Sequence, residues 1–162
     1  MEYSLQKEKY YNLLEPVISG LGHSIVELKG RPVQQQLHIN LVIYNNNGVT
    51  IGDCADVHRA VMARVEMAEG ERDIHLEVSS PGIGRNIKSL DEFEVFAGKS
   101  VKVLAGLDED WIKGIIGGIQ GNSADDNGEQ IFQLMEKDET GNLVLKREIP
   151  VSDIRKAKLE ES

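Results

Sequence analysis

The chain has 162 residues, a formal net charge of −9 and an apolar share of 40%. This length suits one or two small domains, and the apolar share is sufficient for a core. No apolar run reaches the roughly 20 residues of a membrane-spanning helix, and the N-terminal residues lack the basic and apolar segments of a signal peptide. The single cysteine cannot form an internal disulfide, which is typical of a reducing cytoplasm.

The negative charge bears on the kind of partner. An acidic protein has no long-range attraction to bare nucleic acid, because that affinity comes from Lys and Arg through counterion release. Its field attracts basic partners instead. A plainer interpretation is that the charge keeps the protein soluble.

The first half of the chain begins with a predicted helix over residues 3–21, where apolar side chains recur at near-helical spacing. Pro16 lies inside it and predicts a kink or a new helix start, because proline removes one hydrogen bond. A short strand is predicted over 23–29, ending at the sequence Gly-Arg-Pro of residues 30–32. Alternating apolar side chains predict a second strand over 35–44.

A longer helix and a third strand complete this half. Thr50 and Asp53 have the spacing of a capping box, which predicts a helix from there to about Ala68. Alternation then predicts a strand over 73–79. The order helix, strand, strand, helix, strand predicts a two-layer α/β sandwich. Because a helix connects the second and third strands, we expect those two strands to run parallel.

From residue 88 the pattern changes. Ser89 and Glu92 form another capping box, which predicts a short helix through Phe96. Short strands separated by Gly- and Asp-rich turns then predict a small antiparallel barrel. Its strands are expected at 100–104, 111–119, 130–135 and 143–149, with a last strand ending at 159. Two domains are therefore predicted, covering residues 1–87 and 88–162.

The loop at the junction of the two halves combines unusual residue types. Pro81 and Gly82 fit the centre of a type II turn, in which glycine accepts a positive φ. Two serines precede this turn. Arg85 follows it and offers a planar set of donors. On turn chemistry alone, a serine-capped surface turn is the commoner explanation.

Catalytic chemistry has one candidate, Cys54 near a predicted helix start with His58 one turn later. A helix dipole lowers a thiol pKa, so the pair predicts a nucleophile. A buried small cysteine beside a histidine at the rim is the simpler interpretation, since no third orienting group is evident. The histidines lack metal-ligand spacing. We expect no catalytic residue, metal or cofactor.

Basic residues form a cluster in the second half, comprising Lys146, Arg147, Arg155, Lys156 and Lys158. The simplest interpretation is a solvated sheet edge, where lysines guard against aggregation. Further arginines that could contact RNA lie in the first half, among them Arg31, Arg59, Arg64 and Arg72.

The junction loop also carries a family resemblance. Residues 76–82 read Leu-Glu-Val-Ser-Ser-Pro-Gly, a signature that resembles the bacterial ribosome maturation factor family RimP. Residues 14–17, 53–57 and 149–159 resemble the same family in the same order, so the similarity covers nearly the whole chain. Gly84 and Asn86 depart from the family pattern, which has an acidic residue and a proline there. This departure predicts a more flexible loop.

The resemblance implies an α+β protein whose N-terminal α/β domain precedes an SH3-like barrel of the Sm type. It implies a cytoplasmic assembly factor that binds the immature small (30S) ribosomal subunit and promotes its maturation. The implied partners are rRNA within that particle and a basic small-subunit ribosomal protein near the decoding centre, without a membrane or a small-molecule substrate. The predicted contact residues are Ser79, Ser80, Pro81, Gly82, Arg85 and Lys88.

Two alternatives remain open at this stage. One is a small cytoplasmic enzyme that depends on Cys54, and the other is a plain Sm-type RNA-binding module. If Arg85 serves only as a contact residue, its replacement by alanine is expected to weaken particle binding and leave the thermal midpoint nearly unchanged.

Overall fold

The computed structural model describes residues 5, 8–70, 72–82, 84–121 and 130–160. Within these ranges the chain forms three α-helices and two β-sheets, which confirms the predicted α+β class. It divides into two compact units, the first ending at Pro81 and the second beginning at Gly82. The change of unit thus falls inside the signature loop, and the predicted domains of residues 1–87 and 88–162 stay a prediction.

The first unit contains two helices and one three-stranded sheet. Strand β2 lies in the centre, antiparallel to β1 and parallel to β3, which confirms the predicted parallel pair. Apolar side chains of the two helices and the sheet form the core of this unit. The elements are α1 (Tyr11–Gly20), β1 (Ser24–Val33), β2 (Gln36–Tyr44), α2 (Ile51–Glu69) and β3 (Asp73–Ser79).

Helix α2 begins where the capping box predicted. The Thr50 hydroxyl accepts a hydrogen bond from the Asp53 amide at 3.0 Å, and the Asp53 carboxylate accepts one from the Thr50 amide at 2.9 Å. These bonds satisfy amides that lack an intrahelical partner. Val57, Val61 and Val65, one turn apart, are fully buried, so α2 packs through a single apolar stripe.

Two predictions concern proline positions. Pro16 lies inside a single helix, α1, so no new helix starts there, and the predicted kink stays a prediction. Residues 3, 4, 6 and 7 of the predicted helix lie outside the described residues. The predicted end of β1 at residues 30–32 is wrong. Strand β1 continues through Gly30 and Pro32 to Val33. β1 is an edge strand with a neighbouring strand on one side only, the kind of strand in which proline is tolerated.

Tyr10 joins the start of α1 to the end of α2. Its hydroxyl donates a hydrogen bond to the Glu69 carboxylate, and its ring lies so close to Gly30 that a Cβ there would come within 3.0 Å of it. Burial and the bond to Glu69 raise the pKa of Tyr10 to about 12. The same bond, with Lys9 and Arg72 nearby, holds the pKa of the Glu69 carboxyl below its usual range.

The raised pKa of Tyr10 predicts an alkaline limit to stability. An unfolded tyrosine ionises near pH 10, whereas folded Tyr10 ionises near 12, so its contribution is complete below pH 10 and is lost as the pH rises to 12. We expect the urea midpoint of the wild type to fall more steeply across this window than that of Tyr10→Phe, which has no hydroxyl to ionise there. Equal slopes for the two proteins would contradict the assignment.

The second unit contains one helix and a five-stranded antiparallel sheet in the order β7-β6-β5-β4-β8. Phe93 and Phe132 are fully buried with ring centroids 4.7 Å apart, so the helix and the sheet share a core. A 3₁₀ turn over Val151–Asp153 connects β7 and β8. The elements are α3 (Leu90–Val95), β4 (Ser100–Ala105), β5 (Ile112–Gln120), β6 (Ile131–Lys137), β7 (Leu143–Pro150) and β8 (Ile154–Leu159).

The glycines of β5 permit close packing and an irregularity. A Cβ on Gly114 would lie 2.6 Å from Leu134 Cδ1, and one on Gly117 would lie 2.5 Å from Met135 Cγ. A bulge follows Ile116, where Gly118 has a φ of 142°. β7 and β8 remain at opposite ends of the sheet, and no ladder joins them in the described ranges. No closed barrel is seen there, so the SH3-like barrel stays a prediction.

Among the described helices, none combines the length and the apolar character that crossing a membrane requires.

Candidate functional site

Strand β3 carries the signature serines to the surface. Its last residue, Ser79, lies opposite Val42 of the central strand β2. Ser79 and Ser80 are exposed, Pro81 is half-buried and Gly82 is exposed. A Cβ on Gly82 would meet no atom within 4 Å, so the backbone there is open to a partner. This exposure is necessary for the predicted contact role, which itself stays a prediction.

The turn after these serines lies later than expected. The Arg85 amide donates to the Gly82 carbonyl at 3.3 Å, which closes a turn over residues 82–85. The positive φ in this turn belongs to Gly84, at 77°, and not to Gly82. Gly84 is the third residue of the turn, the position at which a type II turn requires a positive φ. The glycine that departs from the family pattern therefore occupies the position where glycine is most useful.

The Arg85 side chain points into the second unit. Its Nε donates to Glu92 Oε1 at 2.7 Å, and the two side chains are only 10% and 0% exposed. Such a pair is held in place because separating it would leave a buried charge. This geometry makes a lower thermal midpoint for Arg85→Ala the expected result, while the predicted contact role of Arg85 stays a prediction.

Glu92 organises the second half of the loop. Its Oε2 accepts hydrogen bonds from the amides of Lys88 at 2.8 Å and Ser89 at 3.1 Å, while Oε1 accepts from Arg85. The bond to Ser89 is the carboxylate half of the predicted capping box of α3. One carboxylate thus holds the loop arginine, the helix start and the backbone of Lys88, whose side chain is exposed. The sequence predicted the capping box of Ser89 and Glu92 but not the pairing of Glu92 with Arg85.

Residues 85–87 are also attached to the sheet. The Ile87 amide donates to the Ala157 carbonyl at 2.8 Å, and the Arg85 carbonyl accepts from the Leu159 amide at 3.0 Å. Asn86 lies between them opposite Lys158. Neither bond uses the Asn86 amide, so the bridge is compatible with the proline of the family pattern.

The Cys54–His58 pair lacks the arrangement of a nucleophile and its base. The His58 ring nitrogen lies 3.2 Å from the Leu76 carbonyl of β3. Partial burial and the neighbouring Asp53 carboxylate raise the pKa of the Cys54 thiol. This direction is opposite to the one expected from the helix dipole, and it lowers the thiolate fraction at neutral pH.

We expect Cys54 to react slowly with a thiol reagent in the folded protein at neutral pH. Its raised pKa and partial burial both reduce attack, so the rate should increase several-fold when urea unfolds the chain. Labelling monitored by mass measures both rates. Faster labelling of the folded protein would favour the alternative of a cysteine-dependent enzyme.

The histidines have partners other than metal. His23 Nδ1 lies 2.9 Å from Asn45 Nδ2, and the rings of His38 and His75 are in contact with centroids 4.9 Å apart. Within the part of the chain that the structure describes, no group of three His, Cys, Asp or Glu residues could hold a metal ion.

Comparison with known proteins agrees with the signature. A family model described as the RimP N-terminal domain matches residues 13–84. The protein named ribosome maturation factor RimP from Borrelia turicatae is 31% identical over 112 residues, covering 69% of this chain and 76% of the relative. That of Borrelia recurrentis is 33% identical over 106 residues, covering 65% and 72%. That of Borrelia hermsii is 31% identical over 112 residues, covering 69% and 76%. The chain belongs to the RimP family of ribosome maturation factors.

Proposed function

We propose that the protein binds the immature small (30S) ribosomal subunit and promotes its maturation through contacts to a ribosomal protein and to rRNA. The observation that carries the proposal is the open Ser79–Gly82 backbone after β3 in a chain whose relatives are named ribosome maturation factors. Recognition loops are commonly held at the end of a regular element in this way.

Within the first unit, the contact residues we propose are Ser79, Ser80 and Pro81. Hydroxyl groups both donate and accept, so they suit phosphate oxygens and backbone amides alike. The second unit begins with Gly82, and its exposed Lys88 adds a cation. Arg85, the remaining predicted contact residue, supports this part of the loop through Glu92, and we propose that it acts mainly by holding the loop in place.

For the second unit, residues 88–162 in the prediction, we propose the SH3-like fold of the Sm type and a basic partner. The net charge of −9 favours a basic partner, and we propose a basic extension of a small-subunit ribosomal protein near the decoding centre. Opposite charges at such a surface increase the association rate and disfavour wrong partners.

The proposed mechanism is selective binding without a covalent step. A factor that binds the productive conformation of an immature particle better than its other conformations shifts the population toward that conformation, by as much as its affinities for the two differ. A partner of this kind places the protein in the cytoplasm, where a free Cys54 is expected.

Sedimentation tests the proposal. Tagged protein in a cell extract at low salt is expected to migrate with small subunits and to be absent from complete ribosomes. Protein that stays at the top of the gradient, or that distributes equally over finished ribosomes, would contradict it.

A further inference from the structure

Three lysines lie in register across the sheet of the second unit. Lys102 of β4 is opposite Lys113 of β5 on one side and opposite Lys158 of β8 on the other. Directly opposite residues of antiparallel strands point to the same face, with Cα atoms about 5 Å apart. Lys156 alternates with Lys158 and therefore shares that face. Trp111 lies close to Lys102 and Lys158. We call the four lysines together with Trp111 the lysine row.

The basic cluster predicted from sequence lies on the two end strands, β7 and β8, as the sheet-edge interpretation requires, whereas the row extends into the interior of the sheet. β4 and β5 are interior strands of the sheet, so Lys102 and Lys113 cannot guard an exposed edge. β8 is the last strand, but residues 85–87 hydrogen-bond to it. Arg155, part of the same predicted cluster, donates instead to the Asp108 carbonyl.

Few of the described residues compensate the charge of the row. Like charges directly opposite each other destabilise a sheet. Lys113 has a carboxylate partner, Glu160 at 3.7 Å, but the lysine side chain is 72% exposed and such pairs contribute little. Lys102 and Lys158 form no ion pair with any described residue. Their ammonium groups lie 5.0 and 5.8 Å from the centroid of the Trp111 ring.

We propose that the lysine row binds single-stranded RNA, with the lysines on phosphates and Trp111 stacked on a base. A polyanion would compensate the like charges, and an aromatic ring beside cations is the platform on which unpaired bases stack. A carboxylate-rich protein would use the lysines but gain nothing from stacking on the indole. A duplex would keep its bases away from the ring.

The charge of the whole chain sets the strength of this site. With a net charge of −9, attraction to RNA acts only within about one Debye length, roughly 8–10 Å. The isolated protein therefore binds short RNA weakly and with strong salt dependence. In the particle, this use of the row rests on the proposed function, which would bring rRNA into reach at high effective concentration.

The single tryptophan of the chain reports the binding directly. Titration with an oligouridine of about a dozen nucleotides at about 50 mM salt is expected to quench Trp111 emission. Four phosphate contacts, one for each lysine of the row, predict a log–log salt slope of about −3. No quenching would overturn the proposal. Equal quenching by polyglutamate would overturn it too, because the site would then bind polyanions without stacking.

Substitutions show whether RNA binding depends on the row or on any exposed lysine. Lys102→Gln with Lys158→Gln, measured by anisotropy of labelled oligouridine, is expected to weaken binding about tenfold and to flatten the salt slope. Trp111→Ala is expected to cost about tenfold through lost stacking. Lys137→Gln, an exposed lysine at the end of β6, is the matched control and should change the affinity less than about twofold. Equal losses for the control and the row would overturn the assignment.

The readouts keep the two proposals distinct. Loss of RNA binding in the row variants supports the proposed RNA site and does not test the proposed function. Failure of the wild type to sediment with small subunits contradicts the proposed function and does not test the RNA site. Unchanged thermal midpoints show that the variants are folded.

Discussion

Glu92→Ala is expected to lower the free energy of unfolding of the second unit by about 3–5 kcal/mol. The carboxylate is fully buried, and its removal takes an ion-pair partner from Arg85 and an acceptor from the Lys88 and Ser89 amides. Arg85→Ala should cost less, because those two amides still hold the remaining carboxylate. Urea unfolding followed by Trp111 fluorescence measures both losses, since Trp111 belongs to the same unit.

Glu94→Ala is the matched control, because Glu94 is on the same helix and exposed. Its effect should stay within about 0.5 kcal/mol. Arg85→Lys should recover part of the stability of Arg85→Ala, since an ammonium can still pair with Glu92 but lacks the planar fork. Midpoints for Arg85→Ala and Glu92→Ala that equal the wild type would show that the pair does not hold the loop.

Ser79→Asp combined with Ser80→Asp is expected to weaken binding to immature small subunits at least tenfold. Both side chains are exposed and the Gly82 backbone beside them is open. Two carboxylates would therefore repel RNA phosphates at the proposed contact, and like charges at an interface cost several kcal/mol. The same exposure predicts a change in stability of less than about 1 kcal/mol. Co-sedimentation at several salt concentrations, together with urea unfolding, measures the two effects.

Ser152→Asp provides the control for this pair. Ser152 is an exposed serine in the 3₁₀ turn before β8, so its replacement by aspartate adds negative charge at a residue that is not part of the loop. It should leave particle binding close to that of the wild type. If Ser152→Asp reduces binding as much as the double variant, total charge explains the loss and the loop is not the contact.

Local chemistry explains why much of the secondary structure is readable from the sequence. The capping boxes at Thr50 and Ser89 depend on residues three apart, and the alternation in β2 and β3 depends on residues two apart. The parallel pairing of β2 and β3 also follows from the connecting helix, because such crossovers have one hand. The position of the two serines at the end of β3 is likewise readable from neighbouring residues.

Contacts between distant residues could be decided only by the tertiary structure. Proline in β1 is tolerated because β1 is an edge strand, which depends on the strand order. The pairing of Arg85 with the buried Glu92 of α3 depends on how the helix packs, and the sequence had predicted only a donor for a partner. Lys102, Lys113 and Lys158 lie far apart in sequence, and only strand pairing brings them together. The sequence by itself determined the helices, most strand positions and the family, because those signals are local or shared by the family as a whole. Which side chains face a partner, and which hold the loop, depended on the register and packing of segments that no short-range pattern encodes.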